Sequence, residues 1–344
     1  MTTFVTGVDR CVRRPLVALL DEQLSAALTS AHPDAALIEP AIWEHAIVRI
    51  ARDILGRPGK QFRSRLVELA FELGGGDAVT LSSVIPQLVE LVHAGSLIID
   101  DVQDGSTERR GGPAIHRIHG VPLAINTGTW LYFAAYHLVE RAALSASTTL
   151  EIYRLLSRMM FRSHQGQALD LAVDVTELRQ REVGTLADLA ATLKSGELMG
   201  FAAQLGGLAA GAAGPQLDAL SRFGVMVGVA LQHLDDLGGL CNEHRRDKGR
   251  EDLAGRRLSW VWACLATELD EMRFARLQRT VRNARLDELD AIADEVTVLL
   301  GHTARHEIVG RLATARALLR DAFSEHPALL ELDAELVGLE RALG

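Results

Sequence analysis

Cysteine is scarce in this chain of 344 residues, with three in all: Cys11, Cys241 and Cys264. Their spacing fits neither a zinc site nor a disulfide framework, so a reducing cytoplasm is the expected compartment. Aromatic residues make up only 5% and there are 9 prolines. So few strand-favouring rings and helix breakers, against abundant Ala, Leu, Arg and Glu, argue for an all-α fold. No apolar run approaches the ~18 residues of a membrane span, and residues 1–20 lack the apolar centre of a secretion signal, so no membrane span is expected. The net charge of −9 disfavours the broad basic surface of a nucleic-acid binder. Pro/Ser-rich linkers, fixed-period repeats and sustained strand-like alternation are missing as well.

What remains is a 48% hydrophobic chain, enough for a large core. We expect an N-terminal helical segment over 1–45, of unassigned role, and one all-α domain over 46–344. Helices are expected from Gly59 to Leu73, Ser83 to Asp104, Val121 to Leu144 and Leu150 to Val173, then from Leu186 and from Leu217 to Asp236. Ser106–Gly120 and Cys241–Arg257 are expected as loops, Gly206–Gly214 as a turn or a tight helix contact, and 258–344 as amphipathic helices.

The chemistry concentrates where an apolar helix ends in acids. The run Leu91 to Ile99 is almost wholly apolar or small, and it leads into Asp100-Asp101-Val102-Gln103-Asp104. On a helix Asp100 and Asp104 share a face, with Asp101 about a quarter turn aside. Carboxylates so close repel unless a cation lies between them, and a hard divalent ion such as Mg²⁺ takes oxygen ligands while leaving positions for phosphate. A second apolar helix, Phe223 to Leu231, closes in Gln232-His233-Leu234-Asp235-Asp236. Two such helix ends suit metal ions clamping a diphosphate. Lys60 and Arg63 stand at a helix start, where backbone N–H groups favour anions. Arg109, Arg110, Lys194, Lys248 and Arg257 fall at helix ends or in loops near the acids and could supply charge-assisted bonds to phosphate.

Taken in order, these stretches resemble the trans-isoprenyl diphosphate synthases, and among them the geranylgeranyl diphosphate synthases of animal and fungal type. The similarity runs through Gly59-Lys60-Gln61-Phe62-Arg63, His93 and Ser96–Asp101, Arg109-Arg110-Gly111, Ala124-Ile125-Asn126, His164–Asp170, Lys194-Ser195-Gly196, Gln232–Asp236 and Glu251-Asp252-Leu253. It implies an isoprenoid-synthase bundle of long helices around a central apolar cavity, and a homodimer. It also implies Mg²⁺-dependent condensation of isopentenyl diphosphate with an allylic prenyl diphosphate. Asp100, Asp104 and Asp235 would ligate three Mg²⁺ ions, supplemented by Arg109, Lys194 and Lys248, with Asp101 and Asp236 counted among the catalytic acids. Gly59, Lys60, Arg63, His93 and Arg110 would hold isopentenyl diphosphate, and Ser195 and Arg257 would join the substrate contacts. Gln167 and Asp170 would surround the metal site, and Gln232 would steady the carbocation.

Product length would follow from the cavity. Gly95, five residues before Asp100, would leave the tunnel open, and Tyr132, Phe133 and His164 would close its floor at a C20 product. The second acidic motif departs from the family pattern, since Gly238-Gly239 follow it without a third carboxylate. Two glycines cost on the order of 1 kcal/mol each in a helix, so loosening is expected there. Ser195 stands where threonine is usual, and Arg257 where lysine is. A terpene cyclase on the same scaffold and a non-catalytic partner subunit are the rival assignments. Retention of Lys60, Arg63, His93 and Arg110 argues against the first, and an intact Asp100-Asp101-Asp104 against the second.

Overall fold

A computed structural model describes residues 32–59, 61–241, 246–300 and 303–343. Lys60 and the first 31 residues of the 1–45 segment, with Cys11, lie outside the described residues. Among the described residues the only strands are two of two residues each, so the all-α expectation holds. The contacts divide the chain into two compact units, Met1–Tyr153 with Ala209–Gly211, and Arg154–Leu208 with Ala212–Gly344.

The first unit contains α1 (Arg49–Gly56), α2 (Phe62–Leu73), α3 (Val84–Asp104), α4 (Ile115–His119) and α5 (Val121–Val139). Helix α3 is apolar around most of its circumference and accordingly buried, with Ile85, Leu88, Val89, Leu91 and Ile98 sealed from solvent. Each such side chain contributes roughly 1.5–3 kcal/mol on leaving water. Pro86 falls in the first turn, where no intrahelical N–H is needed. Helix α5 packs along α3, and the two backbones meet at Gly95 and Gly128: a Cβ on Gly95 would stand 2.6 Å from the Gly128 carbonyl oxygen. Pro40–Trp43 and the wide turn Glu44–Val48 dock on this unit, where Ile47 and Val48 pack with Trp43 and Trp130.

The expected loop Ser106–Gly120 is more ordered than its composition suggested. β1 (Glu108–Arg109) pairs antiparallel with β2 (Gly112–Pro113) in register Glu108–Pro113 and Arg109–Gly112. The two linking residues, Arg110 and Gly111, both have positive φ, 52° and 75°. That is the twist-matching geometry of a two-residue hairpin.

The second unit contains most of α6 (Ala146–Ala172), then α7 (Gln180–Ala191) and α8 (Glu197–Ala210), joined by a wide π turn over Thr192–Gly196. After it come α9 (Pro215–Cys241), α10 (Arg246–Ala254), α11 (Trp260–Glu268), α12 (Glu271–Asn283), α13 (Leu289–Leu300), α14 (Thr303–Phe323) and α15 (Pro327–Leu343). Two expectations are corrected. Helix α9 runs through Gly238-Gly239 without loosening, and Arg246–Ala254 is a helix where a loop was expected. One contact accounts for both. Gly249 of α10 lies so close to α9 that a Cβ on it would stand 2.3 Å from the Gly239 carbonyl oxygen. Tertiary packing therefore supplies the order that local propensity withholds. Gly206–Gly214, expected as a turn or a tight helix contact, is both: α8 runs to Ala210, a Cβ on Gly207 would stand 2.6 Å from Leu220 Cδ1 of α9, and the chain turns at Gly211.

Gly95 and Gly184 provide a matched test of these contacts. Gly95→Ala should destabilise by ~1–3 kcal/mol, because the obstructing atom is backbone and cannot rotate away. Gly184→Ala, on α7 with nothing within 4 Å of the new carbon, should be neutral or stabilising by ~0.5–1 kcal/mol. Denaturant midpoints of the two variants decide it; equal effects would contradict the packing account.

Candidate active site

In the first unit three basic residues and a glycine from three sequence segments come together. Arg63 lies in the first turn of α2, His93 on α3, Arg110 at the hairpin tip and Gly59 before α2. Arg63 Nη1 donates to His93 Nε2 at 3.3 Å. A guanidinium can only donate, so Nε2 accepts and the imidazole proton sits on Nδ1. Burial, reinforced by Arg63, Arg110 and Arg109, holds the His93 pKa well below its ordinary value, so this ring is neutral. Burial likewise lowers Arg63, against the opposing charge of Glu90 and with the help of Arg110. Arg63 Nε is buried with no hydrogen-bond partner, a donor that the protein leaves unsatisfied. Gly59 admits the Arg110 guanidinium against its backbone, since a Cβ there would lie 3.3 Å from Arg110 Cζ. The residue between Lys60 and Phe62, Gln61, takes the left-handed conformation at φ 46°. Strain of this kind gathers at ligand-holding sites, at a cost of order 1–3 kcal/mol per residue.

Two contributors escaped sequence inspection. Arg57 donates through Nη1 to the carbonyls of Arg109 and Pro113, each at 2.8 Å, and through Nε to Asp53 at 2.8 Å, anchoring the hairpin from behind. Glu90 is buried and accepts from the Ser64 backbone N–H at 3.2 Å. Its signal was available: a lone acid inside an apolar helix, one turn before His93.

The acidic motif at the end of α3 divides by face. Asp101 is fully buried, and its Oδ1 accepts both Arg109 Nε, at 2.8 Å, and Arg109 Nη2. Burial opposes the Arg109 charge, but the Asp101 bond and the nearby Asp100 and Asp104 outweigh it and raise its pKa. Asp101 therefore holds the hairpin arginine, while half-buried Asp100 and exposed Asp104 share the other face of the last turn. Among the described residues no three His, Cys, Asp or Glu side chains form a ready-made metal cage. The all-oxygen pair Asp100 and Asp104 fits an ion that brings waters and phosphate oxygens with it, as Mg²⁺ does.

The residues expected to set product length are not gathered as expected. Gly95 faces α5 at the helix crossing, with Tyr132 Cε1 3.0 Å from its would-be Cβ, so its smallness serves close packing there instead of open space. Tyr132 is half-buried, and burial together with Asp100 raises the pKa of its phenol, which stays protonated. Phe133, about 100° further round the helix, is 70% exposed. His164 is also exposed, with Nδ1 2.8 Å from the Met160 carbonyl oxygen.

The second unit assembles the remaining residues around the π turn. Gly166 of α6 lies against it so closely that a Cβ would stand 2.5 Å from the Lys194 nitrogen. One turn further on, Asp170 meets Lys194, Nζ to Oδ2 at 2.7 Å. Arg257 Nη1 donates to the Asp170 carbonyl at 2.7 Å, which brings both expected cations to one place. Gly228 approaches the other side of the turn, where its Cβ would lie 2.6 Å from the Ser195 carbonyl oxygen. Four residues later on α9, Gln232 accepts from Ser195 Oγ at 2.6 Å. Gln232 in turn donates to Asp236. Asp235 is half-buried on the neighbouring face, and Lys248 falls on α10 with its side chain outside the described residues. His233 is sealed from solvent and stacked on Trp260 at 4.0 Å. Burial and Arg311 push its pKa down to about 3, so the Asp188 carboxylate 4.0 Å away faces a neutral ring, not an ion-pair partner.

Because folding holds His93 neutral while the unfolded chain takes up a proton near pH ~6.5, the protein should lose stability as the pH falls below that value. The loss approaches ~1.4 kcal/mol per pH unit per buried histidine. His93→Gln should shrink it, read as the difference in denaturant midpoint between about pH 7.5 and 5.5. Identical losses in variant and parent would show that His93 is not held neutral.

The comparisons with known proteins agree with this geometry. The polyprenyl synthetase family model matches residues 44–296. The geranylgeranyl diphosphate synthase of Methanosarcina mazei is 32% identical over 230 residues, covering 64% of this chain and 67% of that protein. The geranylgeranyl pyrophosphate synthase of Eremothecium gossypii is 32% identical over 138 residues, 38% of this chain and 43% of its own length, so this chain matches less than half of that relative. A solved geranylgeranyl pyrophosphate synthase superposes with TM-score 0.75 at 19% identity, covering 95% of this chain and 97% of that one. A decaprenyl diphosphate synthase from Rhodobacter capsulatus does so with TM-score 0.75 at 20% identity, covering 96% of each. The structural likenesses establish the fold, and the family model spans most of the residues that carry the site: the chain belongs to the polyprenyl synthetase family.

Proposed function

We propose that this protein is a trans-prenyltransferase that joins isopentenyl diphosphate to an allylic prenyl diphosphate, with geranylgeranyl diphosphate, C20, as its product. The observation that carries this is the basic pocket of Gly59, Arg63, His93 and Arg110, where Arg63 and Arg110 outnumber the neighbouring acid Glu90, beside a separate acidic motif at the end of α3. A protein acting on one diphosphate needs one such arrangement; condensation of two needs both. The curated relatives named as geranylgeranyl diphosphate synthases support the product.

Members of this family act with a divalent metal. Asp100, Asp104 and Asp235 would hold Mg²⁺, three ions in all, and the bound metal would neutralise charge on the departing pyrophosphate. The protein's own cations do the rest. Arg109, Lys194, Lys248 and Arg257 meet the allylic diphosphate and stabilise the oxygen that keeps the bonding pair as the carbon–oxygen bond breaks. Lys60, Arg63 and Arg110 hold the other diphosphate, and neutral His93 offers its Nδ1–H. The isopentenyl double bond attacks the allylic cation, and the proton then lost passes to the pyrophosphate. The apolar run that leads α3 into its acidic motif would exclude water, which would otherwise capture the cation. Tyr132 is the floor residue we assign; Phe133 and His164, both exposed, are set aside.

The protein acts as a homodimer in a cytoplasmic setting. Val121, Ile125 and Phe133 leave an exposed apolar strip on α5 in the first unit, and Phe161 is 68% exposed on α6 in the second. No helix among the described residues is long and apolar enough to cross a membrane.

Turnover with Mg²⁺, labelled isopentenyl diphosphate and allylic diphosphates from C5 to C20 tests the assignment. Prenyl alcohols released only by phosphatase are expected; hydrocarbon released without phosphatase would mean a cyclase, and no turnover a non-catalytic subunit. Asp100→Ala should lower turnover by ~100-fold or more. Tyr132→Ala should lengthen the product, and an unchanged chain length would remove Tyr132 from the floor.

A further inference from the structure

Both carboxylate oxygens of Asp236 are engaged within the second unit. Gln232 Nε2 donates to Oδ1 at 2.8 Å, and the backbone N–H of Trp260 donates to Oδ2 at 2.9 Å. Trp260 is the first residue of α11, and Ser259 before it makes no side-chain capping bond. Asp236 therefore caps α11 from another helix, where a carboxylate also suits the positive end of the helix dipole. The Gln232 amide is fixed at both ends, since its Oε1 accepts from Ser195 Oγ at 2.6 Å while its Nε2 is held by Asp236. The same joint is gripped a second time through the Trp260 ring. It stacks on His233 with the planes 8° apart, and the Arg311 guanidinium lies 4.9 Å from its centroid. Three residues of one turn of α9, namely Gln232, His233 and Asp236, thus fix the start of α11. Asp235 projects about 100° away round the helix.

We propose that Asp236 is a positioning residue of the second acidic motif and not one of its metal ligands. It orients Gln232 and locks α9 to α11, so that the turn carrying Asp235 is held ready for a metal-bound diphosphate. This rests on the diphosphate assignment above. Without the Asp236 carboxylate, α11 loses its cap and the Gln232 amide loses one of its two restraints. Asparagine can restore both. Its Oδ1 accepts from the Trp260 N–H, and its Nδ2 donates to Gln232 Oε1 once that amide turns over and donates to Ser195 Oγ.

The test compares Asp236→Ala, Asp236→Asn and Asp235→Asn in the full-length protein, by melting temperature, by Mg²⁺-dependent thermal stabilisation at fixed inorganic pyrophosphate, and by turnover. Asp236→Ala should melt several degrees lower. It should also lose about tenfold in kcat with the KM for isopentenyl diphosphate changed less than about twofold. Asp236→Asn should recover the melting temperature and most of the kcat. It should leave the Mg²⁺ midpoint within about twofold of the parent, whereas Asp235→Asn should raise that midpoint by about tenfold at an unchanged melting temperature. A midpoint in Asp236→Asn displaced as far as in Asp235→Asn would overturn the proposal and make Asp236 a ligand. Failure of Asp236→Asn to rescue Asp236→Ala would overturn it too. If Mg²⁺ with pyrophosphate stabilises not even the parent, the diphosphate assignment has failed, and that result is separate from the melting-temperature rescue, which reads the joint itself.

Discussion

Like charges crowded into space poor in water are the constraint on which the first unit depends. Arg63, Arg109 and Arg110 all act on His93, and Glu90 and Asp101 are the acids set against them. Two unit charges 4 Å apart interact by about 4 kcal/mol at an effective dielectric near 20, so imperfect compensation is expensive. Asp101 takes the charge of Arg109 directly. Glu90 opposes part of the desolvation at Arg63, and His93 answers the rest by staying neutral. What is left is an excess of positive charge with a buried Arg63 Nε donor unpartnered. On the proposed function, an entering diphosphate would supply the counter-charge that the fold leaves out; the left-handed backbone at Gln61 and Arg110 persists because α2 and the Arg57-anchored hairpin fix it from both sides.

The second unit meets a different constraint. Its polar contacts form because helices pass at distances that only glycine allows. Gly166 lets α6 lie on the π turn, which sets Asp170 against Lys194, and Gly228 lets α9 lie on the same turn, which sets Gln232 against Ser195. A π turn widens the backbone locally, and such turns are common where function needs a side chain re-aimed. The same logic explains the departure from the family pattern. At Gly239, where a third carboxylate would complete the motif, α9 passes against Gly249 of α10. In this chain the position of a third acid holds a helix contact instead.

Much of this was legible in the sequence, for identifiable reasons. The buried course of α3 followed from its unbroken apolar run, and the shared face of Asp100 and Asp104 at its end from their helical spacing. Lys194 and Asp170 were singled out, but their pairing depends on Gly166, whose part is visible only when two helices meet. Arg57 went unnoticed because its partners are backbone carbonyls more than fifty residues away, which carry no sequence signature. The helix Arg246–Ala254 looked like loop because its composition is charged and its order comes from one tertiary contact. Helical spacing already set Asp101 aside from Asp100 and Asp104, but the bonds of Asp101 to Arg109 and of Asp236 to the Trp260 N–H carry no sequence signature. Adjacent helical residues differ by about 100° in direction, so neighbouring acids meet different partners. Phe133 departs from Tyr132 in the same way.

The central claim is that the first unit contains an anion pocket independent of Asp100 and Asp104. Titrating the protein with isopentenyl diphosphate in excess chelator, followed by calorimetry, tests it most directly. The account predicts saturable binding without divalent metal that Arg63→Gln weakens by at least about tenfold and Asp100→Asn leaves unchanged, since charge-assisted bonds to phosphate need no metal. Binding that appears only when Mg²⁺ is added, or that Asp100→Asn abolishes in chelator, would contradict it.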